Sequence, residues 1–383
     1  MTMRILKQAS EFAAHYPLIV IGAGPAGMAA AHRAADSGQQ VLLLDEQPRS
    51  EHGPSGSLDY APLCTVWSLA GEIGQPAEIG LLLAGIARKV SAGQVIIATG
   101  AQERPMPIPG WTLPGVMTAG TAIKAVAGGN PIPAGKWVLA GCGALLYQVA
   151  LQLLEAGVAV AALLDTAPGA TEPGPLHQRI QVIQGVTALA VEGVHAVEGI
   201  SYMTAQSHTR IKADQVILHQ GLIAETHLAN AAGCDLEWDT ERRALRPRLD
   251  AQGYSSLAHI QIIGDASGLG FTDPLPPLQF VLPDSDSTLV CPCENLDAGT
   301  LRRTLALGVT GPNQLKTMTR CGMGACQGRR CGPTIVEMIA AHDRRDLAAV
   351  GTLRIRPPIR PLKLAELAAM QQTDEAIRAV TGH

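Results

Sequence analysis

Short apolar runs alternate with glycine-bounded loops and amphipathic stretches along most of the chain, the pattern of a layered α/β protein. Leu18-Ile-Val-Ile21 is an uninterrupted apolar run ending at a glycine, which predicts a strand buried on both faces. Met28 to Ala35 predicts a helix closed by Gly38, and Val41-Leu-Leu-Leu44 predicts the next strand. The same order returns downstream: a strand at Trp137–Ala140, a helix to about Ala156, and a strand at Val158–Leu164. Val95-Ile-Ile97 and Ile260-Gln-Ile-Ile263 read as two more buried strands. Near the C-terminus helical patterns take over, at Asn295–Leu307, Asn313–Thr319 and Leu362–Met370. Arg354-Ile-Arg-Pro-Pro-Ile-Arg-Pro361 predicts a stiff extended segment that cannot enter a sheet, and docking against a partner subunit is expected of it.

The loops between these elements carry the chemistry. Gly22-Ala-Gly24-Pro25-Ala26-Gly27 joins the first strand to its helix, and Asp45, then Glu46, ends the next strand, with Asp45 23 residues after Gly22. Gly22 allows the tight turn, Gly24 lets backbone approach a pyrophosphate, and Gly27 permits close helix–strand packing. The helix N-terminus offers unpaired N–H groups to phosphate, and the acid can accept from a ribose hydroxyl. The second copy reads Gly141-Cys-Gly143-Ala-Leu-Leu146 and ends at Asp165. Leu146 stands where the third glycine would be, so a structural layer competes there with a nucleotide held in an altered pose, either ATP or NAD(P). Ala98-Thr99-Gly100 and Gly264-Asp265 close two further strands.

Five of the eight cysteines lie between Cys291 and Cys331, at 291, 293, 321, 326 and 331. Such clustering favours a thiolate metal centre over disulfides and a reducing compartment, the cytoplasm. Structural zinc usually takes C-x₂₋₄-C knuckles, often with histidine. Here the first pair is C-x-C and no histidine lies between 291 and 331, which favours [2Fe–2S]. Spacing leaves the choice of four ligands open, because 321–326 and 326–331 are both C-x₄-C. Cys64, Cys142 and Cys234 stand alone and read as small buried hydrophobes. The eleven histidines, His219 and His227 included, show no catalytic pattern, and Glu241–Arg243 reads as a solvated face. Charged residues are only 16% of the chain, which fits either surface covered by partner subunits or an Ala- and Gly-rich core, and a net charge of −4 argues against nucleic acid. No run is long and apolar enough to predict a membrane span.

The order GxGxxG, acid, ATG, second GxGxx, GD resembles the flavoproteins with two dinucleotide-binding domains, such as thioredoxin and glutathione reductases. That resemblance implies FAD on Gly22, Gly24, Pro25, Ala26, Gly27, Asp45, Glu46, Thr99, Gly100, Gly264 and Asp265, with Gly141, Gly143 and Asp165 as a second nucleotide site. The chain departs from it in lacking a redox-active cysteine pair, in the polar loop Arg49–Gly56, and in Thr272-Asp-Pro-Leu-Pro-Pro277, which cannot be a helix interior. The cysteine segment resembles the bacterioferritin-associated-ferredoxin-like [2Fe–2S] domain. That implies ligation by Cys291, Cys293, Cys326 and Cys331, with Cys321 as the alternative ligand.

The full combination, with Pro109-Gly-Trp-Thr-Leu-Pro-Gly-Val116 between the halves, resembles the α subunits of heteromeric amino-acid dehydrogenases, the opine oxidase, D-hydroxyproline or proline dehydrogenase and hydrogen cyanide synthase group. The implied fold is α/β, two Rossmann-like domains plus a small helical [2Fe–2S] domain. The implied divisions are 1–128 and 236–285 for the FAD domain, 129–235 for the inserted second domain, 286–350 for the cluster domain and 351–383 for a docking tail. The implied partners are an FAD-containing β subunit that oxidises the amine carbon, a small third subunit, and a downstream electron acceptor that could tether the complex to a membrane. Some members carry FMN at the subunit interface. The chain itself would carry electrons and no catalytic residue. Two other classes compete: a self-contained NAD(P)H-dependent reductase, and a non-catalytic nucleotide- and cluster-binding scaffold.

Overall fold

The computed structural model describes residues 4–48, 58–71, 75–128, 131–168, 174–271 and 278–370. The polar loop at 49–56 and the proline-rich stretch at 272–277 lie outside the described residues, as do 371–383 of the expected tail.

Seven strands open the chain: β1 (Arg4–Ile5), β2 (His15–Ile21), β3 (Val41–Leu44), β4 (Asp59–Ala61), β5 (Thr65–Ala70), β6 (Ala77–Leu83) and β7 (Ile86–Ile97). They lie in the order β1-β4-β3-β2-β7-β6-β5. The β1–β4, β2–β3, β3–β4 and β2–β7 pairs are parallel, whereas β5–β6 and β6–β7 are antiparallel. Val41 through Leu44 are completely buried, as a strand covered on both faces requires. Helix α1 (Pro25–Asp36) has proline in its first turn and follows directly from the glycine loop.

The chain leaves this sheet through β8 (Ala101–Glu103) and builds a second unit. It comprises β9 (Val116–Thr118), α2 (Ala119–Ala127), β10 (Lys136–Gly141), α3 (Ala144–Glu155), β11 (Ala159–Asp165), β12 (Gln181–Ile183), an antiparallel trio β13 (Ala188–Glu192), β14 (Gly199–Met203) and β15 (His208–Lys212), and β16 (Gln215–His219). The parallel sheet runs β12-β11-β10-β16-β9. Since β9 pairs with β16, this unit starts before residue 129, the expected boundary. Strand β17 (Leu222–Ala224) returns along β8. Helix α4 (His227–Ala232) and the hairpin β18 (Leu236–Asp239) and β19 (Ala244–Pro247) follow, and β20 (Ile260–Ile262) joins β7 as the first sheet's eighth strand.

The cysteine segment contains β21 (Leu289–Cys291), β22 (Leu296–Asp297), α5 (Ala298–Leu305), α6 (Pro312–Thr319), α7 (Gly332–Asp343) and α8 (Leu347–Val350); α9 (Leu364–Ala368) follows. It is helical as expected, yet it does not stand apart. Leu301, Leu315, Ile335 and Ile339 share one core with Ile19, Leu42, Ile79 and Ile260 of the first sheet. The extended segment after α8 spends its apolar side chains inside the chain too. Leu353, Ile355 and Ile359 are buried, and the Ile359 N–H donates to the Trp67 carbonyl. The apolar side chains of this stretch are thus spent on the chain itself, while Arg354 and Arg356 stay exposed. The Glu241–Arg243 reading is corrected, because Arg242 is buried and Arg243, with Arg104, pairs with the buried carboxylate of Glu337.

Candidate functional site

A cavity of about 510 Å³ opens above the first glycine loop, lined by Gly22, Gly24, Asp45, Glu46, Thr99 and Gly100. Lys124 from α2, Glu225, Arg329 and Arg360 complete its wall. Nothing lies within 4 Å of where a Gly24 side chain would start, which leaves that backbone open to a ligand. The Thr99 hydroxyl is buried there without a hydrogen-bond partner, as expected of a group that meets a bound molecule. These features fit the phosphate end of a dinucleotide.

The two acids divide the work. Asp45 accepts from the Ala23 N–H at 2.5 Å and the Gln47 N–H at 2.7 Å, so it braces the glycine loop. Glu46 faces the cavity with both oxygens 2.9 Å from Arg360. Asp45→Ala should loosen the loop and weaken nucleotide retention about tenfold, in line with the loss of two bonds to a charged acceptor. Nucleotide released per chain on denaturation measures this, and wild-type occupancy in Asp45→Ala would assign the anchoring acid to Glu46 alone. Gly264 packs against Ala26 at the start of α1, but Asp265 is exposed and does not line the cavity.

In the second unit, which has the same strand–helix–strand order, the acid that would meet a ribose already has partners. Asp165 is completely buried, with one oxygen 2.6 Å from the Tyr147 hydroxyl and the other 2.9 Å from the Ala167 N–H. A ribose would have to displace both donors. Leu146 is fully buried among Trp137, Val149 and Leu153, so the helix that starts at this loop is packed around a leucine. His219 lies near Gly143 and its ring nitrogen is 2.5 Å from Glu103, making it a satisfied core residue. Tyr147→Phe should leave a buried carboxylate oxygen unpaired and cost about 1–3 kcal/mol of stability, readable by denaturant unfolding.

The five clustered thiols fall into a group of three and a pair. The sulfurs of Cys291, Cys321 and Cys331 lie within 4.8 Å of one another, all completely buried. Cys293, exposed, and Cys326, half-buried, form a second pair in hydrogen-bond reach of each other. Thiols of Cys321 and Cys331 donate to the Cys291 sulfur and, against its burial and with backbone N–H groups of Gly322 and Glu294, hold it at about 2. Donors aimed at a sulfur are what a thiolate metal centre uses to stabilise charge. Gly324 is required here, because a side chain at that position would overlap the Cys293 Cβ. Helix α7 begins right after Cys331, with proline in its first turn. All eight cysteines are free, and burial lifts Cys142 to about 11 and Cys64 to about 12, so neither is a nucleophile.

A buried ionic group joins the two regions. Glu225 lies 3.1 Å from Arg329 Nε and 2.8 Å from His227 Nδ1. Burial pushes the Glu225 carboxyl up, but His227 and then Arg329 outweigh it and hold it at about 2. A carboxyl depressed in the fold stabilises it above its ordinary value near 4.5 and loses that contribution as pH falls toward 2. Unfolding followed across that window should show a drop for the wild type and a flatter profile for Glu225→Gln.

Three family descriptions match the chain: Pyridine nucleotide-disulphide oxidoreductase at residues 74–278, Sarcosine oxidase A3 domain at 286–371 and FAD binding domain at 18–62. The A subunit of opine oxidase from Agrobacterium tumefaciens is 38% identical over 488 residues, covering 100% of this chain and 97% of the relative. Hydrogen cyanide synthase subunit HcnB of Pseudomonas protegens is 26% identical, covering 90% of this chain and 96% of the relative. The crystal structure of L-proline dehydrogenase from P. horikoshii superposes with a TM-score of 0.72 at 17% identity, covering 96% of this chain and 80% of that one, a likeness of fold. Among the described residues no helix is long and apolar enough to cross a membrane. The chain belongs to the opine oxidase family, among the α subunits of heteromeric FAD-dependent amino-acid dehydrogenases.

Proposed function

We propose that this chain is the electron-carrying α subunit of a heteromeric dehydrogenase that oxidises the amine carbon of an opine, proline or D-hydroxyproline class substrate, with the oxidation on a partner β subunit. The observation that carries this reading is the grouping of three buried cysteine sulfurs, with Cys293 and Cys326 nearer the surface, in the same core as the sheet that carries the glycine-loop cavity. Gly22, Gly24 and Thr99 would hold the pyrophosphate of FAD and Glu46 its ribose, while four of the five thiolates would hold a [2Fe–2S] cluster. When bound, a flavin exchanges two electrons with an organic substrate and one with an iron–sulfur centre.

The chain's own residues bind, insulate and orient. Leu301, Leu315 and Ile335 pack in the same core as the buried sulfurs and keep water from them. Among Cys291, Cys321 and Cys331 the geometry favours no one over another, so Cys321 stands level with the other two as a candidate ligand. A cytoplasmic complex with a third small subunit, an interfacial FMN and a separate electron acceptor completes the proposal.

The test is anaerobic addition of an N-substituted amino acid to the co-purified complex. Bleaching of both flavin and iron–sulfur absorption by that substrate, with none by NADH, is expected. Rapid bleaching by NADH alone would instead support a self-contained reductase, against which the occupied carboxylate of Asp165 already weighs.

A further inference from the structure

A second cavity, of about 520 Å³, lies beside the first and is lined by Glu103, Arg104, Trp111, Thr118 and Arg330. Glu225 and Arg329 line both cavities, so their ion pair is the partition between them. The same pair is anchored to the cysteine loop. Arg329 Nη1 donates to the Cys326 carbonyl at 3.2 Å and the Ile359 carbonyl at 3.3 Å. His227, whose Nδ1 faces Glu225, has its Nε2 3.0 Å from the Gln327 carbonyl. One carboxylate thus reaches the loop twice, through Arg329 at one end and His227 at the other.

Burying these charges costs desolvation that an apolar contact of the same shape would avoid. What the arrangement gains is a fixed geometry: neither Arg329 nor His227 can turn without giving up its contact to a buried carboxylate oxygen. We propose that Glu225 is a positioning residue that holds the loop 326–331 against the nucleotide cavity and, by its negative charge, tunes the thiol centre. The inference rests on the reading of that centre as an iron–sulfur site, but the positioning itself needs no metal.

Glu225→Gln keeps the shape and one acceptor oxygen while removing the charge, and Glu225→Ala removes all of these. In the purified complex, Glu225→Gln should retain iron yet raise the midpoint potential of the centre, since an added electron meets less negative charge. Glu225→Ala should release iron to a ferrous chelator about tenfold faster, as expected when a buried charge-assisted contact is lost. Glu192→Gln, at the exposed Arg210 pair in the second unit, should change neither. An unchanged potential in Glu225→Gln overturns the tuning role whether or not the alanine variant folds, and an unchanged release rate in a folded alanine variant overturns the positioning role. An iron-free wild type would refute the iron–sulfur reading instead. The alkylation rate of Cys326 by a maleimide would then take the place of iron release as the readout, with a rise in Glu225→Ala supporting the positioning and an unchanged rate refuting it.

Discussion

Cys291→Ser is expected to abolish metal binding: iron content should fall to near zero, with loss of visible absorption, while the two nucleotide-type sheets stay folded. Cys291 is completely buried, receives hydrogen bonds from two other thiols, and is the sulfur held furthest below the ordinary thiol range. Serine is nearly isosteric but offers a weak, hard oxygen in place of a soft thiolate. The rest of the core is unaffected by that exchange, because Val290, Leu301 and Ile335 fill it independently. Cys321→Ser, Cys326→Ser and Cys293→Ser, run beside it, sort the remaining ligands. The three whose iron content collapses complete the set with Cys291 if Cys331 is spared, and a variant that keeps full iron identifies the fifth thiol. Undiminished iron in Cys291→Ser would make Cys291 the spare thiol, and undiminished iron in every one of these variants would remove the centre from this site.

The second large effect belongs to Gly22. Its φ of +106° lies in a region that side chains rarely adopt, and a Cβ there would overlap the carbonyl oxygen of Ala98 in the adjacent turn. Gly22→Ala must therefore push apart the glycine loop and the Ala98–Gly100 turn, the two segments that form the floor of the cavity. A cost of about 2–4 kcal/mol is expected from backbone strain plus forced displacement. Nucleotide occupancy should fall with it, since the loop N–H groups no longer converge. Gly38→Ala is the control: its φ is +86°, but nothing lies within 4 Å, so it should lose some stability and no nucleotide. Chemical unfolding and released nucleotide per chain separate the two outcomes, and a Gly22→Ala protein with normal occupancy would show that the loop is not the binding element.

The parts legible in the sequence are those where local chemistry sets the structure. The glycine loop, the parallel β2–β3 pair and the repeat at β10, α3 and β11 follow from apolar runs and from glycines that few other residues could replace. The thiol cluster is legible as composition, but not the grouping within it. Spacing treats 321, 326 and 331 alike, whereas the fold buries Cys321 and Cys331 with Cys291 and leaves Cys293 and Cys326 nearer the surface. Helix α7 escapes the periodicity reading although Gly332-Pro333 after Cys331 is a helix-start signal.

Other features depend on contacts across the chain that no pattern announces. Arg360 meets Glu46 across 314 positions, and Arg329 meets Glu225 across 104. His227 has its acid only two residues away, but its other partner, the Gln327 carbonyl, lies 100 positions along the chain. The merging of the cysteine segment into the first core is hidden by its different periodicity: helices α5 to α7 bury faces against strands whose own pattern is continuous. The opine oxidase alignment also runs over 488 residues against 383 here, so stretches of that relative have no counterpart in this chain.

The most direct measurement is the iron, acid-labile sulfide and flavin content of the freshly purified protein, taken with its electron paramagnetic resonance spectrum after reduction. An electron-carrying α chain should contain about two irons and two sulfides, give a rhombic or axial [2Fe–2S] signal, and release FAD on denaturation. A chain that holds zinc in those thiols, with neither sulfide nor flavin, would contradict it.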